Sequence, residues 1–555
     1  MDLLFLVLSA IVFLSLGYVM YGGWLSRWLN LREDVKTPAY EFKNDVDFVP
    51  TNRFYLLNQH LSAIAAAGPI VGPILAGMWF GWGPTFVWII LGGIFIGGVH
   101  DMVSIVASIR QQGKSIAEVI RQTMSRRAFI LFLLFLWFSL VYIIAAFTDV
   151  TASTFVDPEH GAAIASSSMM YLFLALLMGV MIRQWNPPLA LSTVISLPLV
   201  FVCIYLGQLF PMTLPAWPGL DARMSWNVVL LIYCFAAAVM PVWLLLQPRG
   251  YLGGFFLAVT AGVSFLGLVT GCLNHQLMIQ APIFVSWQNP QGLPLLPVLF
   301  ITVACGACSG FHCLISSGTT SKQLAKETDA KVVGYGGMLL ESFVAVIALC
   351  TLLILTKEEV TALKSPNQIF ANGVATFLNS FGVNKAFAFN FALLAFATFV
   401  YDTLDVATRL GRYIFEELTG WKNRWSPYWA TLATLILPFM FLNQKFVDQD
   451  GQIILGWKMF WTVFGASNQL LAALVLFGLS LWLFKRKMKY HITLIPAVFM
   501  LVIATISIFL IIKPWLKNIF IHRVYSFDAV GITCLVLFIL TACLLIEGIR
   551  LFKRP

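Results

Sequence analysis

Four ionisable side chains lie inside apolar stretches of this sequence: His100, Asp101, His312 and Glu341. Such a group is costly within a membrane unless it is paired or hydrated, and it therefore often marks an ion or proton pathway. At about 1.5 Å per helical residue, all four are expected roughly 10–13 Å from the inner surface. We expect a proton-coupling relay in which Asp101 or Glu341 holds the proton and His100 or His312 tunes it. The alternative is a His–Asp contact that only satisfies buried polar groups.

Two further segments place glycine and proline inside apolar stretches. One is Gly68-Pro69-Ile70-Val71-Gly72-Pro73, and the other starts at Met240-Pro241 and ends at Gln247-Pro248-Arg249-Gly250. Lipid offers no hydrogen-bond partners, so a helix breaks at depth only where its freed backbone groups face protein, water or a ligand. A half-helix N-terminus suits a carboxylate, and exposed carbonyls suit a cation. The expected substrate-binding residues are Gly68, Pro69, Gly72, Pro73, Met240 and Pro241. A proline kink is the alternative for the first segment, and Pro248 is equally well explained as the end of its helix.

Hydroxyl side chains cluster at the end of the ninth apolar stretch, residues 297–318. They are Ser316, Ser317, Thr319 and Thr320. Together with the carbonyl of Gly68 they could form a sodium site. Capping of the segment that starts near Lys322 explains the threonines equally well.

Three charged residues lie within eight positions near the inner end of a later helix: Asp402, Asp405 and Arg409. A local Asp405–Arg409 ion pair is the default interpretation because the two residues are one helical turn apart. A role in an inner gate is the alternative. Asp149 and Glu159 are expected at or beyond the outer surface and are assigned no role.

The nine cysteines are scattered through apolar stretches, which disfavours a disulfide framework. Cys305, Cys308, His312 and Cys313 have a spacing that resembles a metal site. We favour a structural interpretation, because Ala304 to Gly310 is mainly a series of small residues that lets helices approach closely. No metal or cofactor is expected.

Composition identifies the class of protein that must position these residues. Of the 555 residues 59% are hydrophobic and 11% are charged, and the mean hydropathy is +0.85. Apolar stretches of about 20 residues recur along the chain, each long enough to cross a bilayer as a helix. The sequence predicts an all-α polytopic membrane protein with about 15 transmembrane helices.

Most of the 35 lysines and arginines lie in alternate connecting segments, which the positive-inside rule assigns to the inner face. This pattern places the C-terminus inside and the N-terminus outside. The net charge of +10 is explained by this bias toward the inner, anionic surface. It gives no reason to expect a nucleic-acid partner.

The two Gly/Pro segments run in opposite directions across the membrane with four apolar stretches between them. This predicts a five-plus-five inverted repeat of the leucine-transporter type. The expected parts are an N-terminal helix and basic segment (1–61), a first five-helix repeat (62–210), an inverted second repeat (211–412) and four trailing helices (413–555).

Several strings in this core resemble the carbon starvation protein A family. They are residues 58–74, Gly98-Val99-His100-Asp101, Gly113-Lys114-Ser115, residues 304–320, Lys322 to Asp329, Gly334-Tyr335-Gly336, residues 338–342 and residues 403–409. The similarity covers about residues 52–412 and continues more weakly through Trp461 to Leu470. The resemblance implies a bacterial inner-membrane transporter induced in starvation and linked to uptake of peptides, or of pyruvate with protons.

The residues alone leave other classes open. A sodium-coupled transporter of a small carboxylate or amino acid is the nearest alternative. A channel is disfavoured by the internal repeat, and a membrane redox subunit is disfavoured because the seven histidines form no evident haem pairs. Enzyme motifs such as Gly-x-Ser-x-Gly and His-Glu-x-x-His do not occur, so no catalytic residues are expected.

Overall fold

A computed structural model describes residues 2–552 apart from 45–47, 66, 122–124, 186, 242, 364, 422, 445, 448–452, 455 and 522–528. The described chain is almost entirely helical. Among the described residues there is one sheet, a two-stranded antiparallel ribbon of β1 (Phe446–Val447) and β2 (Ile453–Ile454).

The helices follow from long apolar sequences that have no other way to satisfy their backbone in lipid. In chain order they are α1 (Asp2–Trp28), α2 (Pro38–Glu41), α3 (Arg53–Ile64), α4 (Gly68–Phe80), α5 (Trp82–Ile109), α6 (Ile116–Arg121), α7 (Arg126–Phe155), α8 (Gly161–Trp185), α9 (Leu189–Leu209), α10 (Ala222–Val239), α11 (Leu246–Leu273), α12 (Leu295–Thr302), α13 (His312–Gly318), α14 (Lys331–Leu353), α15 (Lys357–Leu363), α16 (Pro366–Asn379), α17 (Lys385–Thr419), α18 (Ser426–Leu442), α19 (Gly456–Lys485), α20 (His491–Phe520) and α21 (Ala529–Phe552).

Within the described residues, 11 helices are long and apolar enough to cross a membrane. The pair α3 and α4, bent by 49°, would make a twelfth span. The expected all-helical membrane architecture is therefore confirmed, but the expected count of about 15 is not. The difference has a physical source: the stretch at 297–318 is interrupted, and α18 and the apolar part of α21, Val530–Ile546, are shorter than a full span.

The long helices form a single packed body. Helix α7 lies along α17 and α19, and α17 also packs on α10, α11 and α18. Helix α3 packs on α11, while α4 packs on α14 and α13 packs on α5. The hairpin of α8 and α9 packs against α11 and α17 on one side of this body, and α20 packs on α19. The two interrupted segments, α3–α4 and α12–α13, are consequently enclosed by other helices.

Candidate functional site

The four ionisable residues of the apolar stretches meet in one buried cluster. Asp101 contacts two histidines: its Oδ1 lies 2.8 Å from His100 Nδ1, and its Oδ2 lies 2.8 Å from His312 Nδ1. The other ring nitrogen of His312, Nε2, lies 3.2 Å from Glu341 Oε2. All four side chains are fully buried. We call His100, Asp101, His312 and Glu341 the histidine–carboxylate cluster.

This cluster has atoms available for a further proton. His100 Nε2 and Glu341 Oε1 have no hydrogen-bond partner among the described residues. His312 lies between two carboxylates: its Nδ1 bonds to Asp101, and its Nε2 approaches Glu341 to 3.2 Å without forming a hydrogen bond. A proton on Nε2 could therefore pass to Glu341, which would leave a neutral imidazole and a neutral acid beside the Asp101 carboxylate. The arrangement can hold and pass a proton.

Irregular helix turns bring these residues together. Helix α5 has a π-helical turn at Gly93–Gly97 immediately before His100, and α14 begins with another at Lys331–Tyr335. The hydroxyl of Tyr335 donates to the carbonyl of Ile94 at 3.0 Å, which joins the two turns. A Cβ added to Gly98 would lie 2.6 Å from the Tyr335 ring, so only glycine permits this approach. Such π turns are often found at functional sites.

The first interruption lies slightly earlier in the chain than the sequence suggested. Helix α3 ends at Ile64 and α4 begins at Gly68, so Gly68 to Pro73 form the first turns of the second half-helix instead of an unwound segment. Pro69 is tolerated there because the first helical N–H groups need no partner within the helix, whereas Pro73 lies inside α4 and removes one of its hydrogen bonds. A Cβ on Gly68 would lie 2.4 Å from Cys305 Sγ, and one on Gly72 would lie 2.5 Å from the Thr302 carbonyl oxygen. Both glycines therefore pack closely against the 302–305 segment.

The second interruption is one that the sequence analysis missed. The predicted continuous span at 297–318 is wrong: α12 ends at Thr302, residues 303–311 form turns, and α13 begins at His312. The signal was present in the small residues from Ala304 to Gly310, which we interpreted only as a packing stripe.

Asn468 of α19 supplies several of the hydrogen-bond partners that the non-helical segment 303–311 needs. Its Oδ1 accepts from the Phe311 N–H at 2.9 Å, its Nδ2 donates to Ser309 Oγ at 3.0 Å, and its carbonyl accepts from the Gly310 N–H at 3.2 Å. The Trp88 indole donates to the Val303 carbonyl at 3.0 Å. These bonds explain how an irregular segment is stable among apolar helices.

Met240 and Pro241 do not interrupt a span. Helix α10 ends at Val239 and α11 begins at Leu246, so the two residues belong to a connection between helices. Pro248 lies in the first turn of α11 and does not end a helix, which corrects the sequence interpretation.

Arginines from α17 bind the C-terminal carbonyls of α10. Arg409 donates to the carbonyls of Ala237 and Met240, each at 2.7 Å, and Arg412 donates to that of Ala238 at 2.8 Å. A cation at a helix C-terminus is favourable because the carbonyls there carry partial negative charge.

Asp402 and Asp405 pair with a residue that the sequence analysis did not single out. Arg249 Nε lies 2.6 Å from Asp402 Oδ1, and Arg249 Nη1 lies 2.5 Å from Asp405 Oδ2. The expected Asp405–Arg409 ion pair is therefore wrong, because Arg409 is directed at α10. The distribution of basic residues predicts that Arg249 lies in an inner connecting segment, but it is fully buried in α11. Its burial could not be recognised from the local sequence, because Arg249 follows Pro248 at the edge of an apolar stretch.

Two uncharged side chains complete the second cluster. Ser62 of α3 donates to Asp402, and Tyr233 of α10 accepts from Arg249 and donates to Asp405 Oδ2, the latter at 2.8 Å. We call Ser62, Tyr233, Arg249, Asp402 and Asp405 the arginine–aspartate cluster. It joins α3, α10 and α11 to α17.

The hydroxyls proposed for a sodium site mostly have other partners. Ser317 Oγ donates to the Cys313 carbonyl at 2.7 Å and accepts from the Ile116 N–H at 2.9 Å. Thr320 Oγ1 lies 2.8 Å from His60 Nδ1, and Thr319 Oγ1 donates to the Ile315 carbonyl at 3.0 Å. Ser316 Oγ has no hydrogen-bond partner in the described part of the chain. The structure records no contact between these hydroxyls and Gly68, which packs on Cys305.

Two other sequence expectations concern acidic and metal-ligand residues. Glu159 is exposed, but Asp149 is buried and accepts from the Trp457 N–H at 2.8 Å, with Arg223 Nε 3.6 Å away. Its expected surface position is wrong because α7 continues past it to Phe155. Among the described residues, no group of three or more His, Cys, Asp or Glu side chains has the arrangement of a metal site.

Several cavities border the first interrupted segment, and two of them lie beside residues considered above. The larger, about 450 Å³, borders Leu75, Met78 and Trp79 of α4 together with Trp457 and Trp461 of α19. The smaller, about 20 Å³, is lined by His60, Thr319, Thr320 and Asp402 among others.

Comparison with known proteins places the chain among membrane transporters. The family model described as carbon starvation protein CstA matches residues 2–369 and 359–508. The peptide transporter CstA of Campylobacter jejuni is 33% identical, covering 90% of this chain and 79% of the relative. The pyruvate/proton symporter BtsT of Escherichia coli is 31% identical, covering 90% of this chain and 80% of the relative.

Similarity to solved structures is weaker. The amino-acid-bound MhsT structure, in complex with L-phenylalanine, is 12% identical with a TM-score of 0.49 over 82% of this chain and 98% of that one. The Eremococcus coleocola manganese transporter is 12% identical with a TM-score of 0.47 over 92% of this chain and 99% of that one. The sequence relationships, in contrast, extend over nearly the whole chain, and this protein belongs to the carbon starvation protein CstA family.

Proposed function

We propose that this protein is a secondary transporter of the bacterial inner membrane that couples proton movement to uptake of peptides or pyruvate. The relatives named as peptide transporters and as a pyruvate/proton symporter support the substrate class. The observation that carries the proton coupling is His312, which is fully buried between the carboxylates of Asp101 and Glu341. A buried imidazole flanked by two acids can change its charge with the proton supply.

Proton coupling would follow from the electrostatics of the histidine–carboxylate cluster. Its members come from α5, α13 and α14, so the charge of one residue affects the packing of three helices. A proton taken up by this cluster reduces its net negative charge in a site that has little access to water. The helices would then be free to adopt the second arrangement that transport requires.

The substrate would bind beside the first interruption. Peptides and pyruvate both carry a carboxylate, which suits the N-terminus of α4 at Gly68 and Pro69. Gly72 and Pro73 follow on the same half-helix, and the 303–311 segment lies against it. We propose that this second interrupted segment takes the role that the sequence analysis gave to Met240 and Pro241.

We favour a proton over sodium as the coupling ion. Ser317 Oγ bonds to Cys313 and Ile116, Thr319 Oγ1 to Ile315 and Thr320 Oγ1 to His60, so these hydroxyls are held by different protein groups, whereas a sodium site needs several oxygen atoms around one point. Only Ser316 retains an unpartnered hydroxyl among these four residues. Sodium coupling remains the alternative that the transport experiment below separates.

We propose a five-plus-five inverted repeat with boundaries that differ from the sequence prediction. The first repeat would contain α3–α4, α5, α7, α10 and α11, with the α8–α9 hairpin inserted, and the second would contain α12–α13, α14, α17, α18 and α19. The support lies in corresponding contacts: α7 packs on α19 as α17 packs on α11, and α6 and α16 occupy matching positions. The positive-inside pattern still favours an outside N-terminus and an inside C-terminus.

The test is uptake into proteoliposomes that contain the purified full chain. Labelled pyruvate and a labelled dipeptide are offered separately under an inward proton gradient, an inward sodium gradient, or neither. We expect accumulation of at least one substrate with the proton gradient alone. Equal uptake under all three conditions would contradict secondary transport driven by either ion.

A further inference from the structure

The arginine–aspartate cluster contains two carboxylates and one guanidinium in direct contact. Arg249, Asp402 and Asp405 are all at most 3% exposed. Arginine does not lose its proton in proteins, so its single positive charge is permanent. One carboxylate charge is therefore left over at this point in a region with little water. A monovalent cation, of which the proton is the smallest, would neutralise it.

Asp405 is the residue with room to accept that proton. Its Oδ2 contacts Arg249 and the Tyr233 hydroxyl, but its Oδ1 is buried without a hydrogen-bond partner among the described residues. An unpartnered carboxylate oxygen that is shielded from solvent is costly unless it is protonated or bound. Arg249 Nη2 is likewise buried and unpartnered within the described chain.

Other charged and titratable groups face the two carboxylates from each neighbouring helix. They are Arg249 (α11), Tyr233 and Cys234 (α10), Tyr171 (α8), His60 (α3), and Tyr401 and Arg409 on α17 itself. Arg409 is the only further permanent cation in this set, and both bonds of its Nη2 go to carbonyls at the end of α10 and just beyond it, those of Ala237 and Met240. It lies beyond ion-pair distance of Asp405, so the excess negative charge is only partly offset.

A proton bound at the arginine–aspartate cluster would affect the contacts of α3 and α11 with α17, because residues of both helices bind the two aspartates. Arg249 belongs to α11 and Ser62 to α3, two helices that pack on each other. Both side chains bind aspartates of α17. Asp402 also borders the 20 Å³ cavity beside His60 and Thr320, which has room for about one water molecule.

We propose that Asp402 and Asp405 form a second proton-binding site, separate from the histidine–carboxylate cluster, that keeps the inner side closed while it is deprotonated. A proton on Asp405 Oδ1 neutralises this carboxylate and removes its ion pair with Arg249, while Oδ2 still accepts from the Tyr233 hydroxyl. Helix α11 then keeps only the Arg249–Asp402 pair with α17, and because α3 packs on α11, the two helices can separate from α17 together. This inference rests on the proposed proton-coupled transport, but it makes a prediction about accessibility that needs no substrate.

The test measures access to a cysteine in the small cavity. Ala63 of α3 lines this cavity, so Ala63→Cys introduces the cysteine to be labelled. The same chain carries Cys543→Ser, because Cys543 is the one exposed cysteine in the described part of the chain. The purified full chain in detergent is labelled with a charged maleimide, and each rate is divided by that of the same variant after denaturation. We expect the ratio to rise about tenfold from about pH 8 to about pH 5.5.

Variants at the two clusters separate the possible outcomes. Asp405→Asn is expected to give the high labelling ratio at both pH values. Asp101→Asn, in the first cluster, is expected to keep the pH-dependent rise even though it loses proton-driven uptake. A parent ratio that does not change with pH would overturn the second site, and so would a rise that persists in Asp405→Asn or disappears in Asp101→Asn.

A further variant controls for loss of folding. Arg249→Met combined with Asp402→Asn and Asp405→Asn removes every charge of the cluster together, which is better tolerated than removal of one partner. It is expected to label at the high ratio at both pH values. A low ratio in this variant would show that the bonds of the cluster do not keep the inner side closed. Failure of the proposed transport, by contrast, would leave the pH-dependent labelling unchanged.

Discussion

The two buried charge clusters differ in whether they contain a permanent cation. In the arginine–aspartate cluster, Arg249 carries a fixed positive charge that two aspartates bind directly. In the histidine–carboxylate cluster, the cationic partner is His312, whose charge depends on a proton. The arginine–aspartate cluster therefore keeps an ion pair even when one of its aspartates is protonated, whereas the histidine–carboxylate cluster has a cationic partner only when His312 binds a proton. The two clusters thus hold helices together in different ways, and they consist of separate sets of residues.

The clusters also differ in which helices they join. His100, Asp101, His312 and Glu341 lie on α5, α13 and α14, whereas the arginine–aspartate cluster connects α3, α10 and α11 to α17. Helix α3 is near both, because His60 bonds to Thr320 just after α13 and Ser62 bonds to Asp402. A movement of α3 would therefore change contacts at or beside both clusters.

The largest expected effect on the difference between the two clusters is that of Asp101→Asn. Without a carboxylate between His100 and His312, proton-driven accumulation is expected to be lost, so the internal substrate concentration rises no higher than the external one. The measurement is proteoliposome uptake under an imposed proton gradient. Glu159→Gln is the matched control because Glu159 is 86% exposed. Accumulation equal to that of the parent would remove Asp101 from the coupling mechanism.

Arg249→Met tests whether the second cluster depends on its fixed charge. It leaves Asp402 and Asp405 buried without their cation, which is expected to cost about 3–5 kcal/mol of stability. The thermal unfolding midpoint of purified protein measures this, with Arg183→Met as the control because Arg183 is exposed at the end of α8. The variant that also carries Asp402→Asn and Asp405→Asn should recover most of the loss. If the variant with Arg249→Met alone is as stable as the parent, the role given to Arg249 is contradicted.

Gly68→Ala tests the close packing between the two interrupted segments. The added Cβ would lie 2.4 Å from Cys305 Sγ, so we expect a loss of about 1–3 kcal/mol from overpacking. Cys305→Gly in the same chain removes the clash and should restore the midpoint. Gly262→Ala is the control, since nothing lies within 4 Å of a Cβ there. Equal midpoints for Gly68→Ala and Gly262→Ala would show that the interruption is not tightly packed.

The smallest expected effect comes from removing sodium. Because the hydroxyls of Ser317 and Thr320 are held by different protein groups, Ile116 and His60, replacing sodium with potassium at constant pH should change uptake by less than about twofold. Ser317→Ala should show the same indifference to sodium as the parent, whatever its absolute rate. A saturable dependence on sodium in the parent would favour the alternative coupling ion.

Much of the histidine–carboxylate cluster followed from residue types alone. Each ionisable residue in an apolar stretch needs a partner, and counting along helices placed His100, Asp101, His312 and Glu341 at one level. The structure does bring them together. In contrast, the interruption at 303–311 was missed, because it contains no proline and its small residues also suit close helix packing.

Arg249 shows why the second cluster could not be found in the same way. Near the end of an apolar stretch, the same arginine can extend to the inner surface or turn into the protein, and local sequence does not distinguish these outcomes. Its partners Asp402 and Asp405 are more than 150 positions away, where Arg409 was the nearer candidate by sequence. The choice depends on how α11 faces α17.

Periodic apolar content and the distribution of charge were enough to identify a polytopic helical membrane protein, because lipid leaves a chain few ways to satisfy its backbone. They were also enough to select the ionisable groups that need a partner. Which partner each group found, and where the helices are interrupted, was decided by contacts between segments far apart in the chain. Those contacts depend on the shapes of several helices at once, and no local pattern encodes them.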